Sequence, residues 1–143
     1  MSTRPTVRKT VLLVEDNIDA RAIYGAALRH RGYRVIEAPT LKDASDAVRA
    51  FLPDVVVLDC RLPDGNGLEL LNRWRDSVMA RVPVIVVTAH RERLNIDAAT
   101  MAGADVFVAK PCTGDALTAH VERALASGAA TRRMRAVTPV TTE

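Results

Sequence analysis

Five short apolar runs, Val11–Val14, Arg34–Glu37, Val55–Leu58, Val84–Val87 and Asp105–Val108, alternate with longer stretches whose apolar residues recur at helical spacing. That alternation predicts repeated βα units and a parallel sheet with helices on both faces. Three of the runs are almost continuously apolar and rich in valine, as expected of central strands buried on both sides. With right-handed crossovers the most economical arrangement is an α/β, doubly wound five-stranded parallel sheet of order 2-1-3-4-5.

Caps and period place the helices. Asn17 can accept from the free amides of a first helix whose inward residues are predicted as Ala20, Ile23, Ala27 and Leu28. Thr40 with Asp43 three positions on resembles a capping box, opening a helix with an apolar line of Leu41, Ala44, Val48 and Phe51, stopped by Pro53. A third helix is predicted on Leu68, Leu71, Trp74 and Val78, and a fourth over 91–101, ended by Gly103. Leu117, Val121 and Leu125 line the last helix, after which 127–143 reads as a flexible basic tail or linker.

A length of 143 residues fits one ordinary domain, expected at 11–126 behind a basic extension at 1–10. Of the 20 basic residues, three lie in 1–10 and three in 128–143, leaving 14 against 16 acidic residues in 11–127. The formal charge of +3 therefore belongs to the ends and is a weak argument for nucleic-acid binding. Aromatic residues make up 3% of the chain, too few rings for a base-stacking platform. Cys60 and Cys112 are too few for an all-cysteine metal cluster or a disulfide scaffold, and no stretch has the length of a membrane span. The expectation is a cytoplasmic protein without a membrane anchor.

The carboxyl ends of parallel strands open on one edge of the sheet, and function collects there. Glu15 and Asp16 follow the first run, Asp59 the third, Thr88 closes the fourth, and Lys110 and Pro111 follow the fifth. Any one of the acids alone would read as a helix cap or a solvated turn; together they form a repulsive cluster that needs a compensating cation. A hard divalent ion fits, and Mg2+ suits phosphate too, because carboxylates commonly hold it together with phosphate oxygens and water. Lys110 offers a mobile positive charge and Thr88 a hydroxyl for phosphoryl oxygens. Asp59 at the centre is the best nucleophile, since phosphoryl transfer needs in-line placement and charge neutralisation, and its product would be a mixed carboxylic–phosphoric anhydride.

The segments VLLVEDN at 11–17, VVVLDCRLPDGNG at 55–67, VIVVTA at 84–89 and VFVAKP at 106–111 resemble the receiver domain of two-component response regulators, over about 11–126. The resemblance implies a flavodoxin-like (βα)5 fold with Asp59 as phosphoacceptor. It implies Mg2+, with Mn2+ as a substitute, held by Asp16, Asp59, the backbone carbonyl of Arg61 and, through water, Glu15. Thr88 and Lys110 would grip the phosphoryl oxygens, and Lys110–Pro111 would be a cis peptide. The donor would be a histidine kinase or a histidine phosphotransfer protein, with the receiver itself catalysing the transfer and the later loss of phosphate. Such a chain is a signalling protein more than an enzyme. The resemblance also implies a switch in which Thr88 moves toward the phosphate and Phe107 turns inward. The face of the fourth helix, fifth strand and last helix would then change partners, among them a downstream protein or a second copy of the chain. Arg61 and His90, two positions after Asp59 and Thr88, stand where the family tunes access of water to the acyl phosphate.

The chain also departs from the family pattern. Cys112 stands where an aromatic residue often follows the Lys-Pro pair, and Phe107 lacks the hydroxyl of the tyrosine found in many relatives. No output module is expected in the residues after Ala126, so direct nucleic-acid binding is not expected. Two other classes compete: a receiver-like interaction module that is never phosphorylated, and a phosphatase of similar build, which would turn over an external phosphomonoester.

Overall fold

The computed structural model describes residues 8–74, 76–89 and 103–134, with side chains through Ser127. Five parallel strands, β1 (Thr10–Val14), β2 (Arg34–Ala38), β3 (Val55–Leu58), β4 (Val84–Thr88) and β5 (Val106–Ala109), form one sheet in the order 2-1-3-4-5. This is the predicted doubly wound, flavodoxin-like arrangement. Helices α1 (Ile18–His30), α2 (Leu41–Ala50), α3 (Leu68–Trp74) and a C-terminal helix (Gly114–Met134) accompany it. The predicted fourth helix at 91–101 and His90 lie outside the described residues, and with them one of the three elements of the expected partner-switching face. Among the described residues no helix is long and apolar enough to cross a membrane.

Valine-rich strands work here because successive side chains alternate between the two faces. Leu12, Val14, Val56, Leu58 and Val86 join Leu41 and Ala44 of α2 and Leu70, Leu71 and Trp74 of α3 in one buried cluster. Val11, Leu13, Val55, Val57, Ile85 and Val87 join Tyr24 and Leu28 of α1 and Leu117 and Val121 of the C-terminal helix in the other. At roughly 1.5–3 kcal/mol for each such side chain removed from water, these two layers dominate what holds the strand ends in place.

The predicted caps form. Asn17 accepts from the Ala20 amide at 2.8 Å and Thr40 from the Asp43 amide at 3.0 Å. Asp64, from the loop after β3, adds a second cap to α2, taking the Leu41 and Lys42 amides at 2.8 and 3.1 Å.

Three inward assignments are corrected. Ile23 is 58% exposed, because Tyr24, four residues from Ala20 and Leu28, occupies the stripe of α1 that faces the sheet. Phe51 caps α2 in extended conformation and is exposed. Val78 is exposed because α3 ends at Trp74: Ser77 donates its hydroxyl to the Trp74 carbonyl, accepts from Met79, and opens a 3-10 turn over Val78–Arg81 that buries Met79 instead. The C-terminal helix continues to Met134, so regular backbone extends into the segment expected as a tail.

Candidate functional site

The end of β1, the end of β3 and the loop after β5 meet at one sheet edge. Register brings them there: Val14 lies beside Leu58 and Thr88 beside Ala109, so the residues that follow these strands leave the sheet together. Carboxylate oxygens of Glu15, Asp16 and Asp59 lie within 4.8 Å of one another. Glu15 and Asp59 are buried, while Asp16 is exposed at the mouth. A cleft of about 240 Å³ is lined by these three acids together with Asn17, Arg61 and Lys110.

Backbone hydrogen bonds fix the acids. The Glu15 amide donates to Ala38 and the Asp59 amide to Val14, continuing the sheet ladder one residue past the strands. The Glu15 carboxylate accepts from the Asn17 amide at 3.1 Å, and Asp59 Oδ1 from the Arg61 amide at 3.1 Å. The cis Lys110–Pro111 peptide follows β5, and Lys110 Nζ donates to Glu15 Oε1 at 2.7 Å and to Asp59 Oδ2 at 3.2 Å.

Burial pushes the Glu15 carboxyl above its usual range; the Lys110 hydrogen bond pulls the other way without cancelling it, and the charge of Asp59 adds to the rise. Burial alone would depress the Lys110 ammonium, but the Glu15 hydrogen bond and the charge of Asp59 hold it above the ordinary lysine value. Ionisation is thus disfavoured on the acid side and favoured on the lysine side. An all-oxygen set of this kind suits a hard divalent cation, which would relieve the repulsion that one ammonium answers only in part. Glu15, Asp16 and Asp59 are positioned for metal and phosphoryl coordination.

Thr88 reaches the edge buried, but it does not line the cleft; its hydroxyl stands near the Cys60 thiol and acts to lower the thiol's pKa. Phe107 is already inward, packed in the cluster with Trp74 and Val86. Sequence reasoning missed the Cys60–Thr88 contact and missed Arg21, whose guanidinium donates to the carbonyls of Glu15 and Asp16. A helical side chain leans toward the helix N-terminus, so an arginine four residues after the Asn17 cap was the available signal.

Burial, with the Asp59 charge next, pushes the Cys60 thiol up to about 12. Cys112 is raised by burial as well but is only half-buried. Native protein treated with iodoacetamide near pH 8 is expected to be alkylated at Cys112 at least about 100-fold faster than at Cys60, because the thiolate is the reactive form. Equal labelling by peptide mass mapping would contradict the buried placement of Cys60.

A doubly wound parallel sheet with an acidic cluster and a lysine at its carboxyl edge defines a class of phosphoryl-handling α/β domains. Within it, residues 11–122 match the response regulator receiver domain, and the chain belongs to that family. It is 39% identical over 121 residues to the KDP operon transcriptional regulatory protein KdpE of Escherichia coli, covering 85% of this chain and 53% of that protein. It is 33% identical over 120 residues to the phosphate regulon transcriptional regulatory protein PhoB of Pseudomonas aeruginosa, covering 83% and 52%. The chain therefore spans about half the length of these relatives. Among solved structures, the receiver domain of sensor histidine kinase PA1611 from P. aeruginosa, with a magnesium ion coordinated in its active-site cleft, superposes with a TM-score of 0.77 at 30% identity, covering 85% of this chain and all of that one. A CheY-like receiver from Methanospirillum hungatei gives 0.79 at 25% identity, covering 85% and 96%.

Proposed function

We propose that the unit at 11–126 is a phosphoacceptor receiver, cycling between a free and an Asp59-phosphorylated form in the cytoplasm. The observation that carries the reading is the convergence of Glu15, Asp16 and Asp59 around one cleft with Lys110 reaching across it. Asp16, Asp59, the Arg61 carbonyl and, through water, Glu15 would hold Mg2+, or Mn2+ in its place. When bound, that ion supplies neutralising charge for the acids and for phosphoryl oxygens.

An Asp59 carboxylate oxygen attacks the phosphorus of a phosphohistidine presented by a histidine kinase or phosphotransfer protein. The O–P bond forms as the N–P bond breaks, and the released imidazole takes a proton from solvent. Lys110 transfers its hydrogen bond from the Asp59 carboxylate to a phosphoryl oxygen. Thr88 turns its hydroxyl to donate to another, because a dianionic group with strong acceptor oxygens draws a nearby donor. As Phe107 already lies inward, movement of Thr88 is the step that would transmit the change through β4 and β5 to the last helix, and so to a downstream protein or a second copy of the chain. Arg61 and His90 would then set how readily water reaches the anhydride.

The test is incubation with Mg2+ and acetyl phosphate, followed by intact mass and peptide mapping. Wild type is expected to gain one phosphoryl group on Asp59, labile to hydroxylamine, and Asp59→Asn to gain less than about 1% as much, since in-line attack needs the carboxylate. Absence of incorporation by wild type would favour the unphosphorylated interaction module instead.

A further inference from the structure

Arg21 lies one turn into α1, and its guanidinium reaches back over the loop that carries the acidic pair. Nη1 donates to the Glu15 carbonyl at 3.0 Å and, more weakly, to the Asp16 carbonyl at 3.4 Å, while Nε donates to Glu37 Oε1 at 3.1 Å. Glu37, at the end of β2, is held from its other oxygen by Arg29 at 3.0 Å. The Arg29 hydrogen bond, with Arg21 behind it, keeps the Glu37 carboxyl below its usual range despite some burial. Gly25 leaves the surface of α1 bare beneath this pair; a Cβ there would come within 3.0 Å of Arg29 Nη1 and 3.5 Å of Glu37 Oε2.

Only Glu15, Asp16 and Asn17 connect β1 to α1. Two adjacent carboxylates facing a third across the cleft repel, and that repulsion acts to open a three-residue loop before any cation arrives. Arg21 opposes the opening through the peptide carbonyls, so the carboxylate oxygens stay available as ligands. Its own charge is matched by Glu37 and not by the cluster.

We propose that Arg21 is a positioning residue for the cation site. Its guanidinium clamps the consecutive carbonyls of Glu15 and Asp16, and Glu37 with Arg29 holds the clamp, so that the acidic pair is arranged for a divalent ion before binding. The inference rests on the metal reading of the cleft given above. It predicts a sign that simple electrostatics does not. Removing a positive charge near three acids should tighten Mg2+ binding by field alone, whereas removing a clamp should loosen it.

Mg2+ titrations of the whole chain by calorimetry and by amide chemical shifts separate the cases, using wild type, Arg21→Met and Arg21→Lys, with metal-free melting curves alongside. Methionine keeps an apolar stem against α1 but donates nothing. It is expected to weaken Mg2+ affinity about 10-fold, the lower end of what loss of an outer support costs a metal site. Lysine, able to donate to one carbonyl, should recover part of that loss. The Asp16 and Asn17 amides should exchange faster in Arg21→Met while those of β3 do not. Unchanged or tighter Mg2+ binding, with only a lower melting temperature, would overturn the clamp and leave Arg21 as a fold residue. A wild type that binds no Mg2+ would overturn the metal reading itself, and the inference with it.

Discussion

Lys110→Met is expected to bind Mg2+ roughly tenfold more tightly than wild type while taking up phosphate at least tenfold more slowly. Lys110 Nζ sits 2.7 Å from Glu15 and 3.2 Å from Asp59, on the same acids a cation would use. Removing it deletes a competitor for the metal and, equally, the donor that would meet charge developing on the phosphoryl oxygens. The metal-free variant should also be less stable by about 2–3 kcal/mol, somewhat below the range for breaking a fully buried pair, because the lysine side chain keeps 19% of its exposure. The pH dependence has a definite sign. Lys110 is raised in the folded state, so its contribution in wild type is complete below the ordinary lysine value and is lost only as pH climbs through its own higher one. Glu15 is raised by burial and would rise further without the ammonium, so ionising it weighs against the folded variant at all pH above the ordinary carboxyl range. The stability gap between variant and wild type should therefore narrow as pH falls toward the ordinary carboxyl range, and Mg2+ should raise the variant's melting temperature more than wild type's. Equal Mg2+ affinities in the two proteins would remove Lys110 from the cation's place.

Lys110 and Arg21 illustrate how position decides the sign of a charge effect. Both are cations near the same acids, but Lys110 bonds to carboxylate oxygens and Arg21 to peptide carbonyls of the loop beneath them. The first would compete with a bound cation. The second supports its ligands, with its charge answered by Glu37.

The sheet and the acidic edge were legible because both follow from short-range pattern. Valine runs of strand length admit little besides buried parallel strands, and a parallel sheet sends every residue after a strand to one edge, which is why Glu15, Asp16, Asp59 and Lys110 could be brought together on paper. Helix phase was less legible. Apolar spacing in α1 admits a stripe through Ile23 or through Tyr24, and only packing against β1 and β3 selects the tyrosine. The end of α3 was hidden because Val78 continues the period of Leu71 and Trp74, while the serine that stops the helix looks like any surface residue until its hydroxyl is seen on the Trp74 carbonyl. The Cys60–Thr88 contact and the Asp64 cap on α2 join residues more than twenty positions apart, and no local rule reaches that far.

The close approach at Gly67 was equally hidden, and replacing that residue should have the largest effect on the fold. The structure packs it against the end of β3. A Cβ on Gly67 would stand 2.3 Å from the Asp59 carbonyl oxygen and 3.0 and 3.1 Å from two side-chain carbons of Leu58. A backbone oxygen cannot swing aside as a side chain can. Its neighbours are also held, since the Gly67 amide donates to Cys60 at 2.7 Å and the Gly67 carbonyl accepts from Leu70 at 3.0 Å. Gly67→Ala must therefore lift the start of α3 off the sheet or displace the Asp59 peptide. Either costs about 3 kcal/mol, at the upper end for overpacking a core position, or on the order of 10 °C in melting temperature for a domain of this size. Gly32→Ala is the control. Its φ of +94° strains any side chain, yet nothing lies within 4 Å, so it should lose only about 1 kcal/mol. Because Asp59 rides on the displaced peptide, Gly67→Ala should also phosphorylate more slowly at saturating Mg2+ and at a temperature where it is fully folded, whereas Gly32→Ala should match wild type. A folded Gly67→Ala protein with the wild-type rate would mean that the loop absorbs the methyl group without moving the acceptor.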